Sequence, residues 1–70
     1  MRYGIVIERA EGNLCAYAPD VPGCVATGAT IAEVRDRMAD AIAVHLDGLR
    51  DDGLPIPEPR AVCDYVIVAA

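Results

Sequence analysis

Lysine, tryptophan and phenylalanine are missing from this 70-residue chain, and each absence closes off a function. With three tyrosines as its whole aromatic content, the chain has no platform on which nucleic-acid bases could stack. Its six basic residues, all arginine, face eleven acids, for a formal charge of −5. Such a chain is a poor direct ligand for phosphate backbones and suits a basic protein partner. Cysteine is scarce and odd in number, Cys15, Cys24 and Cys63, with no C-x-x-C pair. A disulfide-stapled secreted scaffold is not expected. No apolar run approaches the roughly 20 residues of a membrane helix, and the start, Met1-Arg2-Tyr3-Gly4, lacks the pattern of a signal peptide. Reduced thiols and a cytoplasmic location follow as expectations. The six glycines are scattered, so there is no glycine-rich phosphate loop.

What is present is apolar: 54% of the residues are hydrophobic, too many for a disordered chain. The length allows one domain, 1–70, with a thin core, and domains of this size often lean on a second subunit. Alternation predicts a first strand over 2–9, with Tyr3, Ile5 and Ile7 on one side and Gly4, Val6 and Glu8 on the other. Glu11-Gly12-Asn13 signals a turn, and a second strand is expected over 14–18. Pro19-Asp20-Val21-Pro22-Gly23 breaks regular structure into a shaped loop, and a third strand is expected over 24–28.

Thr30-Ile31-Ala32-Glu33 has the spacing of a capping box, in which Glu33 reaches back to the Thr30 amide. A helix is expected from Ile31 to about Asp52, with Ile31, Val34, Met38, Ala41, Ile42, Leu46 and Leu49 as its apolar stripe. Gly53 is placed as the left-handed residue behind the helix. The proline-rich stretch 54–59 predicts an extended connector, and 61–69 a fourth strand. On that strand Val62, Val66 and Val68 face one side, and Cys63, Tyr65 and Ile67 the other. The expected fold class is α+β in the order βββαβ, a four-stranded mixed sheet with one helix on one face. One helix cannot cover two apolar sheet faces, so the uncovered face, with Val62, Val66 and Val68, is expected to form an oligomer interface, in a dimer or tetramer.

Candidate chemistry is sparse. His45 is the sole histidine, lies at the border of the helical stripe, and has no orienting partner in the pattern, so it reads as a boundary residue. Cys24, just after the Pro-Gly turn, is the best candidate for a partly exposed thiol, but nothing nearby predicts a lowered pKa. Three cysteines and one histidine without paired spacing make no zinc motif. The acids Glu8, Glu33, Asp40 and Asp64 form no convergent carboxylate set. No catalytic, cofactor or metal residues are assigned. The loop residues Asp20, Val21, Pro22 and Gly23 are the candidate partner-binding group, since a preset backbone should display their side chains.

Pro19-Asp20-Val21-Pro22-Gly23-Cys24 resembles the "PDLPGC" loop of the HicB antitoxin family. Thr27-Gly28-Ala29-Thr30-Ile31-Ala32-Glu33-Val34 resembles that family's "TxGDTxEEA" lead-in to the helix, and Asp52-Gly53-Leu54-Pro55-Ile56-Pro57-Glu58-Pro59 its "DGxPIPxP" exit. Tyr3-Gly4-Ile5-Val6-Ile7-Glu8 is similar to its first strand. The resemblance implies a partial ribonuclease H-like fold without nuclease activity, oligomerisation, and service as the antitoxin of a type II toxin–antitoxin system. There the partner is a small basic HicA-type ribonuclease with a double-stranded-RNA-binding-domain-like fold, whose catalytic histidine or RNA surface is blocked. Many members continue into a DNA-binding ribbon-helix-helix or helix-turn-helix domain. This chain stops at Ala70, so a short form with no DNA binding of its own is the expectation. The competing reading is a stand-alone oligomer with a regulatory or small-molecule role and no toxin.

Overall fold

A computed structural model describes residues 1–69. The first two strands form where apolar alternation meets a glycine turn. Strand β1 (Val6–Ala10) and strand β2 (Asn13–Tyr17) are antiparallel, with Ala10 opposite Asn13 and Val6 opposite Tyr17. Gly12 sits in the turn at φ +83°, a conformation open to glycine at no steric cost. Strand β3 (Val25–Gly28) pairs antiparallel with β2, giving the order β1-β2-β3. The first strand begins four residues later than its alternation suggests. Its ladder stops at Tyr17 because the partner chain turns away: the Val21 amide donates to the Ala18 carbonyl, and Pro19 has no amide to offer.

Helix α1 (Ile31–Asp51) starts and stops where its capping residues lie. The Glu33 amide donates to Thr30 Oγ1 at 3.1 Å. The Glu33 carboxylate does not return to the Thr30 amide as a capping box would have it. It accepts from the Ala29 amide at 3.4 Å and pairs with Arg37 at 3.0 Å. At the other end the Leu54 amide donates to the Leu49 carbonyl and the Gly53 amide to the Arg50 carbonyl, with Gly53 at φ +68°. That is a Schellman closure.

The helix packs across β2 and β3. Val34, Met38, Ile42 and Leu46 are its buried residues; Ile31, at the first turn, stays exposed. From the sheet and its loops they meet Ala16, Ala18, Val21 and Cys24, with Ile5, Ile7, Leu14 and Ala26 packed at the margin. The other face of the sheet carries an apolar rung, Val6 opposite Tyr17 opposite Val25, followed by the mixed rung Glu8, Cys15 and Thr27. No helix among the described residues is long and apolar enough to cross a membrane.

The expected fourth strand is not part of the sheet. The chain is α+β with a three-stranded antiparallel sheet and one helix, and 61–69 runs on without ladder partners. Its root is fixed elsewhere. The Tyr3 hydroxyl donates to the Pro57 carbonyl at 2.6 Å, and one Asp20 carboxylate oxygen accepts from the Arg60 and Ala61 amides at 2.8 and 2.7 Å. Beyond Cys63, whose thiol lies 3.5 Å from the Ile5 carbonyl, the chain leaves the body as an arm. The molecule therefore measures 48 × 25 × 16 Å.

Candidate functional site

The loop between β2 and β3 is tied by backbone hydrogen bonds, but it does not display the four side chains expected of it. Two successive turns, Val21 amide to Ala18 carbonyl and Cys24 amide to Val21 carbonyl, fold it inward, with Gly23 at φ +90°. Val21 is fully buried and belongs to the core. A branched apolar residue between two prolines has no better use than to plug the end of a thin sheet. The Asp20 carboxylate is occupied by the two amides of the arm's root. Pro22 and Gly23 alone remain at the surface.

Cys24 is likewise turned in rather than partly exposed. Its thiol points at the Ala41 carbonyl 3.8 Å away, and burial pushes its pKa up, away from the thiolate. Cys15 is half-buried and Cys63 exposed. His45 is half-buried on the helix, beside Asp40, Ala41 and Val44. Among the described residues no three His, Cys, Asp or Glu side chains gather as a metal site would require. Val66 and Val68 lie on the arm and Val62 just before it, and all three are exposed.

The surface that does take shape joins the loop to the middle of the helix. Gly23 and Val25 on one side and Asp40, Val44 and His45 on the other border a shallow depression of about 510 Å3. Val25 and Val44 are 68% and 72% exposed there, a poor use of branched apolar residues unless something covers them. Acids flank this spot. Asp36, Asp40, Val44, Asp47 and Asp51 follow one another at intervals of four, four, three and four residues, so they form one stripe along the helix. All five are exposed. Asp47 also accepts from Arg50 at 3.2 Å. The arrangement sets His45 and Asp40 beside the depression without a hydrogen bond from either to the Cys24 thiol, which points at the Ala41 carbonyl. It offers an apolar centre in a negative field, which is the chemistry of a protein-docking surface. Only the stripe's spacing, visible in the sequence, signals it; Val25 enters through the fold.

Residues 3–68 match the family described as HicB_like antitoxin of bacterial toxin-antitoxin system. An uncharacterized 14.9 kDa protein in the rep-hol intergenic region of Haemophilus phage HP1 (strain HP1c1) is 32% identical over 66 residues, which are 94% of this chain and 50% of that protein. The chain thus spans about half the length of this curated relative. Among solved structures, one chain of a "HicA3 and HicB3 toxin-antitoxin complex" is similar with a TM-score of 0.72 and 33% identity, over 86% of this chain and 70% of that one.

Proposed function

Because the chain belongs to the HicB-like antitoxin family, we propose that it acts as the antitoxin of a type II pair, docking on a small HicA-type ribonuclease and neutralising it. The observation that carries this reading is the likeness, at 33% identity, to a chain whose structure was solved in a toxin-antitoxin complex. The chain's own chemistry supports it. A charge of −5 suits a basic toxin, and the acidic stripe with Val44 at its centre supplies both steering and an apolar contact, with Val25 exposed at the border of the same depression.

The finer parts of the reading belong to the same proposal. The protein is a binding module of the cytoplasm and not an enzyme. It works as a homo-oligomer. Its three antiparallel strands and following helix are the opening elements of a partial ribonuclease H-like fold, with 61–69 as the segment of its last strand.

Co-expression with the short, basic, histidine-containing protein encoded beside it tests the proposal. A complex should co-purify, and the growth arrest caused by that neighbour should be relieved. The double variant Asp36→Arg/Asp40→Arg should keep its helix by circular dichroism and lose roughly tenfold in affinity. No complex and no relief from the unaltered chain would leave the stand-alone oligomer as the reading.

A further inference from the structure

We propose that the outer edge of β3 receives an extended basic segment of the partner protein as an added strand; this rests on the antitoxin reading and specifies how the docking surface is used. The hairpin fixes which backbone groups lie on that edge. Glu11 and Gly12 form a two-residue turn, which makes Ala10 and Asn13 a hydrogen-bonded pair. Alternation then directs the amides and carbonyls of Asn13, Cys15 and Tyr17 toward β1, and those of Leu14 and Ala16 toward β3. Gly28 and Ala26 lie opposite Leu14 and Ala16, so they are the bonded residues of β3, and Val25 and Thr27 turn their backbone groups outward. One contact agrees with this parity: the Thr27 carbonyl accepts from Arg37 Nη1 at 2.7 Å, away from β2. The Val25 amide and carbonyl and the Thr27 amide meet no partner among the described residues.

The other side of the sheet is different. Ala61 lies against Gly4, and the Cys63 thiol reaches the Ile5 carbonyl, so the chain's own root runs beside the lead-in to β1. Strand β3 has no such cover. Its sequence, Val25-Ala26-Thr27-Gly28, pairs in regular register and holds no lysine, proline or bulge of the kind that keeps an edge from pairing.

The surroundings of the edge define the chemistry of its occupant. A strand laid along β3 points alternate side chains to the two faces of the sheet. On the outer face they meet Val25, which suits an apolar residue. On the helix side they meet the flank of α1, where Asp40 and Val44 border the depression and Asp36 lies one turn before Asp40. An arginine or lysine there gains a carboxylate partner. The same acids argue against a second copy, since β3 paired with β3 would bring two rows of carboxylates together. The cation at the edge, Arg37, is exposed and already pairs with Glu33 at 3.0 Å, so it can release the Thr27 carbonyl without losing its own counter-charge. Main-chain bonds at Val25 and Thr27 then give affinity, and the alternation of apolar and basic side chains gives selectivity.

Amide hydrogen exchange on the full chain, alone and in complex with the short basic protein encoded beside it, tests the proposal. In the complex the Val25 and Thr27 amides should exchange roughly a hundredfold more slowly, while Ala26 and Gly28, already bonded to β2, should change little. Val25→Pro removes the outward amide at the first position of a strand, where proline is tolerated. It should keep the helical spectrum and bind roughly tenfold more weakly. Val25→Thr, which keeps the amide and the β-branch, should lose less. A complex in which Val25 and Thr27 exchange as fast as in the free chain would overturn the proposal and leave the antitoxin reading standing. So would a folded Val25→Pro variant that binds like the unaltered chain. Protection of these two amides that rises with the chain's own concentration would also overturn it, by giving the edge to a second copy. Absence of any complex would remove both this proposal and the antitoxin reading.

Discussion

One carboxylate oxygen of Asp20 accepts two amides from residues forty and forty-one positions further along the chain. A charged acceptor with two backbone donors is among the stronger single contacts available to a small domain. Asp20→Ala should cost about 1–3 kcal/mol in urea unfolding and speed exchange at the Arg60 and Ala61 amides. Unchanged exchange there would show that Tyr3 alone fixes the arm's root. The sequence marks Asp20 as a loop residue with a preset backbone, but its partner cannot be read from the pattern, because the contact spans more than half the chain. Val21 and Cys24 misled for a related reason. A Pro-Asp-Val-Pro-Gly-Cys run announces a loop, and loops are read as exposed; here small residues, Ala16 and Ala26 in the sheet and Ala18 just past β2, leave room that the loop's own valine and cysteine fill.

At the scale of elements, helix α1 was the most legible part of the chain. Its apolar stripe, Thr30 ahead of it and Gly53 behind it are all local signals; both caps are used, and of the stripe Val34, Met38, Ile42 and Leu46 are buried while Ile31 is not. Thr30→Ala removes the hydroxyl that receives the Glu33 amide. The expected loss is about 1 kcal/mol, read as a fall of roughly 4–8 °C in the midpoint of thermal unfolding. A smaller fall would mean that the Glu33 contact with the Ala29 amide compensates. The segment 61–69 has the composition of a strand, and alternation placed it in the sheet. Alternation reports what a segment can pair with in chemistry, not whether it pairs. Nor could it say that Pro55, Pro57 and Pro59 would lead the chain to Asp20 and Gly4 and leave 64–69 outside the ladder.

For the molecule as a whole, charge is the property that the sequence states outright. Six arginines against eleven acids, four of those acids on one helical stripe, give a field that reaches a partner before contact does. Association with the proposed toxin partner should therefore slow by roughly tenfold between 10 and 150 mM salt, as the screening length falls from about 30 to 8 Å. Stopped-flow association of the purified pair measures it. A rate indifferent to salt would move the contact away from the Asp36–Asp51 stripe. The proposed docking surface was only partly legible: Val25 belongs to the sheet face turned from the helix, and only the fold brings its strand to the border of the same depression as Val44.

The uncovered ribbon beyond Cys63 has one more consequence. A backbone free of ladder hydrogen bonds is the form in which peptidases accept a substrate, and exposed apolar residues help an unfolding motor to grip it. The exposed stretch from Val66 to Val68 is therefore a degradation handle for as long as nothing covers it.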